Sequence, residues 1–196
     1  DAIHLSFTAW TESLDCSQPN FVYGGLQEDP TQGGTMPRVG FDEGFAEKNQ
    51  NLLLWVQSVS EWRHGPGVLG LTTVTFNTCT GEVVDSDIEI NVAEFGFSAT
   101  EVPPEGSIDI QNTVTHEVGH LLGLDHSMDS EATMHSSSPD AETKKRDLTS
   151  DDEEGLCCIY CPNTQFHIPE LVCTSGVAEC MGLPLEEEGG GEEEGA

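Results

Sequence analysis

Basic residues are scarce in this sequence. Its 196 residues include six Lys and Arg against 36 Asp and Glu, so the formal net charge at pH 7 is −30. No Lys or Arg occurs between His64 and Thr143. A surface with so few cations cannot neutralise a phosphate backbone, and we therefore expect no nucleic acid partner. The acidic surface instead favours solubility.

Long apolar runs are also missing. No stretch approaches the roughly 20 apolar residues that a membrane-spanning helix needs, so no such segment is expected. The length fits one domain with a hydrophobic core. Cysteine, in contrast, is well represented: seven cysteines in so short a chain are typical of an oxidising compartment and predict a secreted protein.

The hydrophobic pattern predicts both helices and strands. Apolar residues at helical spacing predict an amphipathic helix over residues 2–15, and a longer helix is expected over residues 108–122, ending at Gly123. Runs rich in apolar and β-branched residues predict four strands, over residues 21–23, 51–58, 67–76 and 82–91.

The C-terminal third is divided into three parts. A helix is expected over residues 149–160, where Thr149 can cap the first turn and Asp152 can complete a box-like cap. Residues 163–185 form a Cys-containing extension. Residues 186–196 (EEEGGGEEEGA) have almost no apolar side chain to bury, so their composition predicts a disordered, extended spacer that could tether the domain to a surface.

One segment of the longer helix carries the pattern of a metal site. His116 and His120 are four residues apart, about 6 Å along a helix axis and on nearly the same face, so both can hold one ion. Glu117 lies beside them, within reach of a water molecule at the metal. A straight helix would carry His126 about 15 Å beyond His116, but Gly123 can adopt the left-handed conformation that turns the chain back. His116, His120 and His126 are therefore predicted zinc ligands, with a fourth position left to water as in catalytic sites.

These residues and those that follow resemble the metzincin metallopeptidases, and within them the matrixin (matrix-metalloproteinase-like) family. Ser127 follows His126, and Met134 comes eight residues after His126, where matrixins place their Met-turn. Two further stretches resemble the strand before the catalytic helix and the family's C-terminal helix, residues 81–88 (GEVVDSDI) and 146–160. The resemblance covers roughly residues 2–162, and the expected peptidase domain is residues 1–162. The acidic end is similar to stretches in some bacterial surface proteins, which favours a bacterial type.

The resemblance implies an α+β fold: a twisted, mostly parallel sheet with an antiparallel edge strand, a long active-site helix and a C-terminal helix. It implies a secreted zinc endopeptidase in which Glu117 takes a proton from a water molecule at the metal and delivers it to the leaving amine. Met134 would lie beneath the zinc as a hydrophobic floor rather than serve as an ordinary core residue.

The resemblance also assigns a substrate cleft. The edge strand would include Val68, Leu69, Gly70 and Leu71, and an extended protein or peptide substrate would pair with it backbone to backbone. Residues 135–147 would form the outer wall of the primary specificity pocket. Two family features are not recognisable: the first strand before the opening helix, and the second, structural zinc site of animal matrixins.

Two weaker patterns leave alternatives open. Asp85, Asp87 and Glu89 share one face of a predicted strand, which fits either a calcium site or a solvated acidic face. Four C-terminal cysteines could bind a second zinc or form disulfides, and disulfides are favoured because thiolate zinc sites are mostly intracellular (Cys158, Cys161, Cys173 and Cys180). Cys16 and Cys79 could pair across the domain, and the odd number leaves one thiol over.

The leading hypothesis is a secreted or cell-surface-tethered, monomeric zinc endopeptidase. A propeptide or a surface anchor beyond the given sequence would be consistent with it. Two alternatives from other classes are a non-catalytic surface or binding module that retains a metal site, and a zinc hydrolase of a non-protein substrate. The presence of Glu117 argues against the first alternative, because a binding module does not need a general base.

Overall fold

The computed structural model describes residues 1–12, 19–26, 39–44, 49–78, 80–160 and 186–195. These residues form helices α1 (Ala2–Glu12), α2 (Ile110–Leu121) and α3 (Ser150–Tyr160), and a 3₁₀ turn over Lys144–Arg146. The strands are β1 (Leu53–Val56), β2 (Val68–Phe76), β3 (Val83–Asn91), β4 (Phe97–Ser98), β5 (Ile108–Asp109), β6 (Ser137–Ser138) and β7 (Glu186–Gly195). Among the described helices, none is long and apolar enough to cross a bilayer.

The main sheet is mixed, with the strand order β1-β3-β2-β7-β6. β1 runs parallel to β3, and β2 runs antiparallel to β3. β7 is antiparallel to β2, and β6 is parallel to β7. The predicted α+β class and the antiparallel direction of β2 are confirmed. β2 is not at the edge of the sheet, however, because β7 and β6 continue the sheet beyond it.

The C-terminal strand is the largest difference from the sequence-based expectation. The composition of residues 186–196 predicts disorder, whereas the structure describes Glu186–Gly195 as strand β7 along β2. The physical reason is that the outer side of β2 offers backbone N–H and C=O groups, and pairing with them requires no apolar side chain. The Cys-containing extension, residues 163–185, lies outside the described residues.

The core lies between α2, α1 and the sheet. Val114 and Val118 of α2 pack with Ile88 and Ile90 of β3, and all four side chains are buried. Trp10 of α1 joins this cluster and donates from its indole Nε1 to the Thr115 carbonyl of α2, 2.8 Å away. α2 is therefore fixed from two sides, which a helix that positions functional groups requires.

The N-terminal region differs in detail from the prediction. α1 ends at Glu12, and residues 13–15 of the predicted helix lie outside the described residues. The strand predicted at residues 21–23 is irregular instead. Phe21 packs edge-to-face against Phe7 with ring centroids 4.9 Å apart, while Val22 and Tyr23 are exposed. Within the described part of the chain, this segment contacts α1 through the Phe21 side chain and belongs to no strand.

Candidate active site

Helix α2 begins and ends where its sequence directs it to. Asp109 caps the N-terminus, because its Oδ1 accepts from the Asn112 amide at 2.7 Å. Arg146 donates to the same carboxylate through Nε and Nη2 and so ties the 3₁₀ turn to the start of α2. At the other end Gly123 has φ +92°, a left-handed conformation that suits glycine, and the chain turns back there.

The turn brings the three predicted histidine ligands together. His116 and His120 lie on α2, and their Nε2 atoms are 3.2 Å apart. The ring of His126 returns to within 5.3 Å of the His116 ring and 4.9 Å of the His120 ring, centroid to centroid. One nitrogen from each side chain falls within 4.8 Å of the others. Among the described residues, these histidines form the one cluster of His, Cys, Asp and Glu close enough to share an ion.

The ring hydrogen bonds orient the histidines for metal binding. His116 Nδ1 lies 2.7 Å from the Thr133 carbonyl oxygen, and His120 Nδ1 lies 2.7 Å from that of Leu124. A carbonyl can only accept, so each Nδ1 must carry the proton and each Nε2 presents its lone pair. Two lone pairs facing each other at 3.2 Å repel, and a cation between them would relieve that repulsion.

Burial keeps the imidazoles neutral. Desolvation lowers the pKa of His116 well below its usual value, and it lowers the pKa of His120 to about 4. The pKa of His126 is also lowered, again chiefly by burial. The nearby Lys145 ammonium adds to all three shifts. Neutral imidazole is the form that binds zinc, so the site needs no deprotonation at neutral pH.

The residues present fit a zinc ion. His126 Nε2 is buried and makes no hydrogen bond to a protein atom of the described structure. An orphaned ring nitrogen is costly in a protein interior unless something else coordinates it. Three imidazoles that converge on one point are a donor set found in catalytic zinc sites, which leave a fourth position to water or substrate.

Glu117 lies on α2 directly below strand β2. Thr72 of β2 donates its hydroxyl to Glu117 Oε2, with an Oγ1–Oε2 distance of 2.5 Å. Gly70 lies so close that an added Cβ would stand 2.6 Å from Glu117 Oε1. The carboxylate is fully buried. A glycine at position 70 therefore leaves space for the carboxylate between the helix and the strand above it.

The Met-turn is held from two sides. Met134 is 2% exposed and packs against Gly119 of α2, where an added Cβ would collide with the methionine sulfur. Asp152 of α3 accepts from the amides of Thr133 and Met134, at 2.9 Å each. Asp152 also accepts from the Thr149 amide, which is one of the two bonds of a capping box, and from the Thr149 hydroxyl. The start of α3 thus fixes the turn beneath the histidines.

Asn112 of α2 anchors the predicted pocket wall at two points. Asn112 donates from Nδ2 to the Ser138 hydroxyl at 2.8 Å and accepts from the Lys145 amide at 2.9 Å. Lys145 is buried, and its ammonium donates to the His135 carbonyl. Both ends of the segment 137–145 are therefore fixed to the helix that carries the histidines.

The four residues predicted to bind substrate lie on β2. Three of them pair with the C-terminal strand: Val68 with Glu194, Gly70 with Glu193 and Leu71 with Glu192. A register shift separates the first two pairs, at Leu69. The structure therefore places an extended segment where an extended substrate was expected, but that segment belongs to the same chain.

The acidic residues proposed for calcium are separately engaged. Asp87 accepts from the amides of Gly40 and Leu52, at 2.6 and 3.0 Å. Glu89 contacts His64, with 3.0 Å between Oε2 and Nε2. Asp85 is buried and does not join them in a three-carboxylate cluster among the described residues. Burial, with Asp85 and Glu89 nearby, raises the pKa of Asp87 to about 7 against the lowering effect of its two amide donors. The calcium hypothesis gains no support from this arrangement.

Sequence reasoning missed three residues that shape the site: Thr72, Asn112 and the second role of Asp152. Each of them forms a hydrogen bond with a residue that lies 18 or more positions away in the sequence. No local periodicity encodes such contacts. Thr72 and Asn112 gave a partial signal, because a polar residue within a predicted core face requires a hydrogen-bond partner. The sequence does not indicate which residue that partner is.

A short metal-binding helix, a third histidine beyond a glycine turn and a methionine turn beneath them define the metzincin class of zinc peptidases. A family model described as Matrixin (Peptidase_M10) matches residues 32–161, and the chain belongs to this family.

Plant proteins are among its relatives. The sequence is 35% identical over 103 residues to "Metalloendoproteinase 2-MMP" of Arabidopsis thaliana, covering 52% of this chain and 26% of that protein. It is 43% identical over 67 residues to "Metalloendoproteinase 1-MMP" of the same plant, covering 34% of this chain and 18% of the relative. "Metalloendoproteinase 1" of Glycine max is 41% identical over 61 residues, covering 31% of this chain and 20% of that protein. The matched regions thus span about a quarter or less of these relatives.

Proposed function

We propose that this chain is a secreted zinc endopeptidase that hydrolyses peptide bonds in extended protein substrates. The proposal rests on one observation: the Nε2 atoms of His116 and His120 lie 3.2 Å apart, and a ring nitrogen of His126 lies within 4.8 Å of the ligand atoms of both. Glu117 lies beside that face and below β2. The matrixin match and the metalloendoproteinase names of the relatives support the same activity.

The side chains divide the chemistry between them. His116, His120 and His126 would hold zinc, which when bound polarises the scissile carbonyl and makes water more acidic. Glu117 would accept the proton of the attacking water and return it to the leaving nitrogen, so that water and a peptide bond give a carboxyl and an amine. Thr72 holds one carboxylate oxygen of Glu117 by its hydroxyl. Met134 and Asp152 keep the floor of the site rigid.

The location and the partners are part of the proposal. Seven cysteines support an extracellular protein in which most cysteines form disulfides. We expect a monomer that acts on protein or peptide substrates. Tethering to a surface would have to come from residues other than Glu186–Gly195, since these pair with β2.

The test is cleavage of a proteome-derived peptide library by the zinc-loaded chain, read by mass spectrometry. Glu117→Ala serves as the matched control, and a chain ending at Leu185 is assayed in parallel to remove any effect of the C-terminal strand. The proposal is supported if new peptide ends appear with the full-length or the shortened chain and do not appear with Glu117→Ala. Folded, zinc-loaded protein that cuts no peptide in either form would point to a binding module instead.

A further inference from the structure

Strand β7 lies in the cleft between β2 and β6. It runs antiparallel to β2, from Glu186 opposite Phe76 to Glu194 opposite Val68. It runs parallel to β6, with Glu194 opposite Ser137 and Gly195 opposite Ser138. One extended segment therefore joins the strand above the cleft to the wall below it.

The segment crosses the cleft at the catalytic base. Gly190 pairs with Thr72, the residue that donates to Glu117, and Glu193 pairs with Gly70, which lies against the same carboxylate. β7 also contacts helix α2. An extended substrate that reaches Glu117 along β2 needs the backbone groups with which Gly190, Glu192 and Glu193 pair.

We propose that residues 186–195 act as a built-in competitor for the substrate cleft. While they pair with β2, the chain is held at low activity, and it becomes fully active when they are displaced or removed. This inference rests on the proposed endopeptidase function and adds a form of regulation to it.

A run of basic residues lies next to the cleft. Three of its six Lys and Arg residues are consecutive, at 144–146, directly after the wall that contains β6. Residues 186–195 carry six Glu. Two members of this run already form ion pairs, Lys144 with Glu142 and Arg146 with Asp109, so the run only reduces locally the repulsion that a Glu-rich strand meets in a chain of net charge −30. Burial of Lys145 beside the cleft makes its charge less screened by salt than a surface charge.

Chain length allows the contact within one molecule. The 25 residues between Tyr160 and Glu186 can reach about 80 Å when fully extended, which is more than a domain of this size requires. Attachment to the same chain gives an effective concentration on the order of 1 mM. If the free segment binds with a Kd of about 0.1 mM, about one cleft in ten stays open, so docking should lower kcat/KM about tenfold.

The first test disrupts the backbone pairing and keeps the chain length. Gly189→Pro/Gly190→Pro removes two consecutive amide donors, and one of them must face β2 because successive residues of a strand point to opposite sides. Gly189→Ala/Gly190→Ala is the matched control. With the zinc-loaded proteins, the proline variant should show a kcat/KM about tenfold higher, chiefly through KM, at every enzyme concentration. The alanine variant should stay within about twofold of the parent. Equal kcat/KM for all three would overturn the inference.

A second test measures docking without catalysis. A fluorescent EEEGGGEEEGA peptide is titrated with two proteins, the Glu117→Ala chain that ends at Leu185 and the full-length Glu117→Ala chain. The peptide EEEPPGEEEGA is titrated in the same way as a control. Anisotropy should show that the EEEGGGEEEGA peptide binds the shortened chain. The same peptide should bind the full-length chain at least about tenfold more weakly, and the control peptide should bind the shortened chain at least about tenfold more weakly. Equal binding in all cases, or none, would overturn the inference. If docking is observed and neither the zinc-loaded parent nor its proline variant cleaves any peptide, the result contradicts the proposed endopeptidase function and leaves the docking inference intact.

Discussion

The Thr72 hydroxyl of β2 donates to the Glu117 carboxylate of α2 across 2.5 Å. This contact joins the strand that would bind substrate to the residue that would handle the proton. A hydrogen bond to a carboxylate stabilises its charged form, so Thr72 favours the state in which Glu117 can accept a proton.

Replacing Thr72 by Val should lower kcat about tenfold, because the variant keeps the shape of the side chain and loses a hydrogen bond to a charged group. The acid limb of the kcat/KM profile should also move to higher pH, since the carboxylate loses its donor. Thr72→Ser, which retains the hydroxyl, is the control. A Val variant with the parent pH profile would show that Thr72 serves packing alone.

Glu117→Ala and His120→Ala should differ in metal content. Glu117→Ala should retain one zinc per chain and lose nearly all peptide cleavage, because the carboxylate is not among the converging nitrogens. His120→Ala should lose the metal, since it removes one of three donors. Inductively coupled plasma analysis after gel filtration measures the zinc. A strong chelator should abolish activity and added zinc should restore it, and active protein without zinc would contradict the assignment.

Gly119→Ala should destabilise the domain by about 1–3 kcal/mol, because the new methyl group would collide with Met134 and stand 2.8 Å from the Trp10 ring. For a domain of this size that corresponds to a fall in Tm of several degrees, measurable by calorimetry. Gly96→Ala is the control, as its Cβ would meet no atom within 4 Å. An unchanged Tm for Gly119→Ala would mean that the Met-turn can move without cost.

Asp87 should make stability fall as the pH rises. Its pKa is raised from 3.8 to about 7 in the folded state, so the folded protein holds a proton there that the unfolded chain loses first. This contribution to stability is complete below about pH 4 and is lost as the pH rises through about 7. The Tm difference between the parent and Asp87→Asn should therefore decrease from pH 4 to pH 8 at constant ionic strength. Glu105→Gln, at an exposed carboxylate, should show no such trend.

Most of the seven cysteines should be oxidised in the native protein. Thiol titration of denatured, unreduced protein should find few free groups, most simply one, because the number is odd. Mass spectrometry of unreduced digests would identify the pairs. Six or seven free thiols would contradict an extracellular origin and would revive the thiolate zinc hypothesis.

The convergence of the three histidines could be predicted because the contacts that produce it are local in sequence. His116, His120 and Gly123 lie within eight residues, and helix geometry fixes how two of them align and where the helix ends. One half of the predicted cap of α3, the bond from the Thr149 amide to the Asp152 carboxylate, is observed for the same reason. Strands β1, β2 and β3 were recognised from composition and differ from the prediction only at their ends.

Long-range contacts could not be predicted in this way. The pairing of Thr72 with Glu117 spans 45 residues, and the pairing of Asp152 with Met134 spans 18. Residues 186–195 illustrate the limit best. Glu and Gly are depleted in strands, so composition predicts disorder, but backbone pairing with β2 depends on which surface the segment meets.

Strand β7 has a consequence for self-association as well. β2 is nine residues long, and without a neighbour its outer side would present a row of backbone groups to which a strand of another molecule could add. A Glu-rich strand in that position repels a second acidic chain, and beyond it the sheet ends in the two-residue β6, too short to recruit another strand. The chain shortened at Leu185 should therefore remain monomeric when dilute and form oligomers or aggregates when concentrated, at concentrations where the full-length protein stays in solution.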